Sequence, residues 1–342
     1  MSTDPVLEWL LETDNPPVRW LALTRLLGRP ETDTEVQEAR AHLMDYAVTQ
    51  ELLTHAEAFW QSGPRTFWSY KGRHWNAVFL GAFYADGHDP RIAPGIERHL
   101  RARGWAGQIF QCMNACMLTA FRRLGYGDHL VVVEERERLA QRVLDEGGID
   151  CRAMNTSLLS RCYMALPKLL LCFAEVPPDE RSAAIQGAID WIVAEMVAHQ
   201  VYVYLPGNRK AWQAARKEAR QCTDLPEGET RKTWVAKVEA QFLAEHGVGE
   251  REPKASWTRF GFPVNYNSDI LEAMYALATA GAPMSENLEK PLQVIRDKRT
   301  ADGMWLMKKS LNGQMWVDVE TKGEPSKWLT LFARIVLEHF EE

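Results

Sequence analysis

Helix-forming runs recur down the whole chain between short breaks rich in Gly and Pro, and nothing else limits the fold so tightly. The breaks are Leu27-Gly28-Arg29-Pro30, Ala85-Asp86-Gly87-His88-Asp89-Pro90, Leu124-Gly125-Tyr126-Gly127-Asp128, Val176-Pro177-Pro178-Asp179 and Ala280-Gly281-Ala282-Pro283. Successive breaks lie about 40 to 60 residues apart, the period of a helix–turn–helix repeat. The last interval is about twice as long, which predicts one hidden break. The chain is therefore expected to be all-α, with about six helical hairpins forming an open solenoid or a closed ring.

Local signals agree with this. Asn15-Pro16-Pro17 reads as an N-cap followed by proline in the first turn, and Gly28 stops that helix. Asp89-Pro90 is expected to open a helix in the same way. Leu329, Phe332, Ala333, Val336, Leu337 and Phe340 make a helical stripe, with Ser326 as its N-cap. Ile270, Met274, Leu277 and Ala278 repeat the period. Two places depart from it. Alternating segments Met304–Lys309 and Gln314–Val319 flank Asn312-Gly313, which predicts a small β-hairpin near the C-terminus. The polar stretch 208–250 reads as a surface helical insertion within a single domain spanning 1–342.

The composition, 46% hydrophobic and 25% charged, is that of an ordinary globular chain. A net charge of −6 argues against a nucleic-acid partner held by a basic face. The longest uncharged run, Gly104 to Phe121, is shorter than the roughly 20 residues of a membrane span and contains Gln108, Gln111 and Asn114. Met1-Ser2-Thr3-Asp4-Pro5 has no basic region before an apolar run, so a cytoplasmic protein with free thiols is expected. The six cysteines form no C-x-x-C pair, and no dinucleotide, P-loop, zincin or α/β-hydrolase motif occurs. No cofactor and no metal are expected, and the oligomeric state is left open.

Lys298-Arg299-Thr300-Ala301-Asp302-Gly303-Met304-Trp305 resembles the Q-x-x-D-G-x-W repeat signature of the terpene cyclase and protein prenyltransferase α/α toroids. Gln141 to Ile149 is a weaker echo of it. Phe260-Gly261-Phe262-Pro263 and Gly323 to Leu331 look like bacterial prenyltransferase-like or squalene-cyclase-like proteins. The resemblance implies a single ring of paired helices, in an inner and an outer layer, around a central cavity. It does not extend to the catalytic motifs. Neither Asp-x-Asp-Asp nor Asp-Asp-x-x-Asp occurs, and Asp150-Cys151 are adjacent where the zinc-binding Asp-x-Cys needs a spacer.

The 13 Trp are the most unusual feature of the composition. Trp68, Tyr70, Trp75, Tyr202, Phe260, Phe262, Trp305 and Trp316 are candidates to line a cavity for a small, mostly apolar molecule, or else pack between helix layers. Asn114, between Cys112 and Cys116, and Cys151 are further ligand-binding candidates. Cys162 and His199 could join them in a Cys–His cluster, with buried inert thiols as the other reading. Tyr266 and Asp269 share a face at a helix start and His74 opens an earlier helix, making these three the candidate acid–base groups. If Asp269 only caps, Asp269→Asn costs little. Asp318 and Glu320 share a face if their segment is a strand. The function expected is an isomerase, cyclase or hydrolase acting on an apolar, possibly isoprenoid-like substrate. The alternative is a non-catalytic ligand-binding or protein-interaction scaffold.

Overall fold

The computed structural model describes residues 4–63, 69–102, 111–147, 164–201, 204–205, 209–246, 252–253, 255–263 and 265–341. Its helices in chain order are α1 (Pro5–Leu10), α2 (Pro16–Leu21), α3 (Thr34–Ala41), α4 (Ala47–Leu53), α5 (Ala56–Trp60), α6 (Arg73–Ala82), α7 (Ala93–Ala102) and α8 (Gln111–Phe121). There follow α9 (Leu130–Glu146), α10 (Leu166–Ala174), α11 (Ala183–Ala198), α12 (Arg209–Gln221), α13 (Arg231–His246), α14 (Ile270–Thr279), α15 (Glu286–Arg296) and α16 (Lys327–Glu341). Five-residue π turns, Ala22–Leu26 and Arg122–Tyr126, extend α2 and α8. The chain is all-α, and among the described residues the only strands are two-residue ones, β1 (Tyr204–Leu205) and β2 (Glu252–Pro253).

Burial around each helix explains its position. All residues of α10 and nearly all of α6 and α8 are buried, so protein covers these helices on every side. In contrast, α11 buries one stripe, Ile185, Ala188, Ile189, Ile192 and Met196, as a helix with one face toward water does. The well-covered helices pack side by side in chain order: α6 on α8, α8 on α10, α10 on α14, α14 on α16, and α16 on α2 and its π turn. Trp20 of α2 meets Tyr84, just after α6, with ring centroids 5.0 Å apart. Successive members of the series run in the same direction. Ser268 bonds to Met164 before α14 and α10 start, and one turn further Lys168 bonds to Glu272. The second helices α3, α9, α11 and α15 pack on α2, α8, α10 and α14 respectively, and α16 takes α1 from the N-terminus.

Local chemistry sets the helix ends. Asn15 caps α2 by accepting from Val18 N (3.3 Å), and Gly28, at φ 58°, turns the chain after the π extension. Ser326 caps α16 through Leu329 N (3.0 Å). At Asp89-Pro90 the expectation misses by a turn, because Asp89 accepts from Arg91 N (2.8 Å) within a turn and α7 begins only at Ala93. The long interval before Ala280 hides no repeat between α10 and α14, which pack directly on each other. It holds α12 and α13, which pack together above the antiparallel pairing of Tyr204 with Pro253 and Leu205 with Glu252. Arg216 Nε ties that pair to Glu239 at 2.7 Å, and its guanidinium lies over the Trp212 ring.

The expected β-hairpin does not form. Gly313 makes a turn at φ 75°, but its two arms do not pair with each other. Met307 N donates to Glu324 O (3.0 Å), and Lys308 and Lys309 N donate to Phe260 O (3.1 and 2.9 Å). The first arm thus has its hydrogen bonds met by two other segments, which removes the need for a ladder to the second.

Candidate functional site

Where α6, α8, α10 and α14 meet, a charged group sits in otherwise apolar surroundings. Lys168 is the lone charge of α10, with a side chain 2% exposed. A charge buried so deeply needs partners, and it has three. Its Nζ donates to Ser268 Oγ (2.7 Å) and to both oxygens of Glu272 (2.9 and 3.2 Å). Ser268 in turn donates to Met164 O (2.9 Å), which orients its lone pairs toward the ammonium. Burial alone would pull the Lys168 pKa down, but the Glu272 carboxylate holds it above the usual lysine value, so the ammonium stays charged. Beside it lies a cavity of about 20 Å³, lined by Val78, Gly81, Cys116, Thr119, Arg123, Lys168 and Glu272 among others. That is room for about one water. Gly81 is needed for the close approach of α6 and α8, since a Cβ there would stand 2.6 Å from Ala120 Cα.

Three aromatic candidates converge nearby. Trp75 lies 4.9 Å from Tyr70 and 4.8 Å from Tyr266, and the two tyrosine rings are 6.3 Å apart. The Lys168 charge is felt at Tyr70, and Tyr266 stands two residues before Ser268, so this aromatic wall adjoins the ion pair. Burial raises the Tyr266 phenol well above its usual pKa, keeping it a neutral donor. Cys116 lines the cavity, but burial raises its thiol too, so it is no ready thiolate nucleophile.

The other candidates lie elsewhere. Asp269 caps α14, its Oδ1 accepting from Glu272 N (3.0 Å), while Oδ2 accepts from Gly261 N (3.2 Å) and Lys309 Nζ (3.2 Å). Burial pushes its carboxyl up and Lys309 pulls it back. Both oxygens are thus engaged in holding the 261 turn and the 309 segment, so capping is only part of its task. Asp269→Asn is expected to cost about 1–3 kcal/mol in urea denaturation, because the new amide NH₂ would face two donors. A loss under about 0.5 kcal/mol would contradict this. His74 packs its ring 4.9 Å from His99 of α7, and burial together with His99 and Arg73 pushes its pKa down to about 2. It is neutral at physiological pH and does not titrate there.

Phe262 stacks on Trp328 at 4.2 Å, with Phe83 and Phe332 about it, as packed core. Phe260 is buried beneath Lys298, and Trp305 donates its indole N–H to Ile295 O (2.8 Å). Trp316 stacks on His55 and donates to Lys71 O (3.0 Å), away from the ion pair. Asn114 is buried, and its side chain has no hydrogen bond among the described residues. It is about half a helical turn from Cys116, on the face of α8 opposite the cavity. Trp68, Cys151, Cys162 and Tyr202 lie outside the described residues. No cluster of His, Cys, Asp or Glu able to hold a metal occurs among the described residues. No described helix is long and apolar enough to cross a membrane.

Asp318 and Glu320 do not share a face, because their segment is not a strand. Asp318 is exposed and accepts from Gly313 N (3.0 Å), whereas Glu320 accepts from Lys327 N (2.9 Å) at the start of α16. Burial pushes the Glu320 carboxyl up to about 7 from 4.5. A carboxyl with a raised folded pKa contributes stability below its unfolded value and loses it as pH rises through the folded one. Glu320→Gln is therefore expected to gain stability relative to the parent between pH 5 and 8, by about 1–3 kcal/mol. Paired urea titrations at the two pH values check this, and a pH-independent difference would contradict it.

Lys168, Glu272 and Arg123 were not expected from the sequence as site residues. The available signal was Lys168 itself, a single charge between Met164 and Ala174 in an apolar run. No family model and no curated protein matches this chain.

Proposed function

We propose that α2, α6, α8, α10, α14 and α16 are the inner helices of a single α/α toroid of the terpenoid cyclase and prenyltransferase kind, and that its centre is an active site. The parallel course of these helices and the Trp20–Tyr84 contact support ring closure. In this reading the substrate is a small, mostly apolar molecule with one polarisable oxygen or double bond, held against Tyr70, Trp75 and Tyr266. Glu272, hydrogen-bonded to Lys168 Nζ, removes a proton, and the Lys168 and Arg123 charges stabilise the negative charge that develops. Tyr266 returns a proton from its neutral phenol, and the proton taken up by Glu272 passes through solvent to the phenolate, so both groups end as they began. The reaction class is a proton shift, that of an isomerase, within a reducing cytoplasm where Cys112, Cys116, Cys172 and Cys222 stay free.

One observation carries the proposal: a fully hydrogen-bonded Lys–Glu pair lines a buried cavity beside an aromatic wall. Buried ion pairs are weak contributors to stability, so a role in chemistry accounts for this one better than a role in folding. The test is turnover of a panel of small apolar ketones, enones and isoprenoids, followed by solvent deuterium uptake into the product. Uptake by the parent chain that Tyr266→Phe slows supports the reading. A panel with neither turnover nor deuterium exchange would overturn it. The second reading is a non-catalytic scaffold, favoured by a cavity with room for about one water. It predicts no exchange on any panel member.

A further inference from the structure

Where α2, α14 and α16 finish, an open cleft of about 400 Å³ is lined by Arg25, Leu27, Tyr275, Ala278, Ile335 and Glu338 among others. Arg25 is solvent-exposed, and its pKa is raised above the ordinary arginine value, chiefly by Tyr275 and against the burial around it. No described residue gives it a hydrogen bond or an ion pair. Glu175, which also bears on it electrostatically, is already held two-pronged by Arg123, whose Nε lies 3.0 and 3.1 Å from its two oxygens. Tyr275 is the side chain that bears most strongly on Arg25, and its ring is fixed 4.5 Å from that of Phe332. Tyr84 adopts φ 54°, strained for an aromatic residue, with its ring between Trp20 and the Arg123 guanidinium (5.0 and 4.8 Å).

We infer that this cleft binds a small organic monocarboxylate with a short apolar body. The planar guanidinium of Arg25 matches a carboxylate with two parallel N–H donors, and the Tyr275 hydroxyl supplies a third. Leu27, Ala278 and Ile335 offer the body a wall, and the volume falls in the range of small-molecule sites. A dianion fits poorly, because α14 and α16 end here with their carbonyls and Glu338 lines the same space. The site is separate from the central ion pair and does not depend on catalysis there.

Calorimetric titration of the full chain with sodium octanoate and with inorganic phosphate tests this. The parent is expected to bind octanoate saturably at one site, and phosphate at least about tenfold more weakly. Arg25→Met should weaken octanoate binding about 10- to 100-fold, with an unchanged far-ultraviolet dichroism spectrum. Tyr275→Phe, which keeps the ring, should weaken it several-fold, and Glu272→Gln should leave it unchanged. Absence of saturable binding, equal affinity for phosphate, or full affinity in Arg25→Met would overturn the inference. Loss in Glu272→Gln with retention in Arg25→Met would overturn it by moving the carboxylate to the central cavity.

Discussion

Replacing Lys168 with Met is expected to destabilise the chain by about 3–5 kcal/mol, a large share of the roughly 5–15 kcal/mol that holds a domain folded. Methionine nearly preserves the volume, so the cost does not come from a cavity. It comes from Glu272 and Ser268, which lose a donor at 2.9 and 2.7 Å, Ser268 with no access to solvent and Glu272 with only a small exposed edge to replace it. The double variant Lys168→Met/Glu272→Leu should recover most of that loss, because an apolar pair of similar size removes both charges together. Urea denaturation of the parent, both single variants and the double variant closes the cycle. A single-variant cost below about 1 kcal/mol would mean that the pair is wetter than its geometry implies.

Glu272→Gln is expected to lower turnover of any substrate found by profiling by about 10²- to 10⁴-fold, the usual worth of one general base. Gln keeps an oxygen that accepts from Lys168 but removes its countercharge, so stability should fall too, by about 3–5 kcal/mol, and turnover is compared well below the lowered melting temperature. The separation of the two effects is the informative part. A variant that turns over like the parent at that temperature would remove Glu272 from the chemistry. A variant that loses turnover only as it unfolds would reduce the ion pair to a packing role.

Much of the fold was legible because its causes are local. Asn15, Pro16 and Gly28 bracket the first long helix by capping, a preset φ and a positive φ, each a property of one residue. The stripe from Leu329 to Phe340 is α16. What escaped was decided between distant segments. Asn312-Gly313 does turn the chain, but the partners of the first arm, Phe260 and Glu324, are set by tertiary packing, which no local alternation encodes. The pairing of β1 with β2 spans the whole α12–α13 pair and left no mark on either short segment.

The site divides the same way. Aromatic density drew attention to Tyr70, Trp75 and Tyr266, which do meet, and also to Trp305 and Phe262, which are core. Asp269 was readable as a cap from the helix that follows it, but Lys309, which takes its second oxygen, is 40 residues on. Lys168 and Glu272 are 104 residues apart, and only the packing of α10 on α14 makes them a pair. An isolated charge in an apolar run therefore marked the centre better than any motif did.

The most direct measurement of the central claim is diffraction from crystals of Glu272→Gln soaked with a substrate found by profiling. The account predicts density against Tyr70, Trp75 and Tyr266, with one reactive atom within hydrogen-bonding reach of residue 272 and of Lys168 Nζ. Density confined to any other surface, with none in the space among α6, α8, α10 and α14, would contradict it.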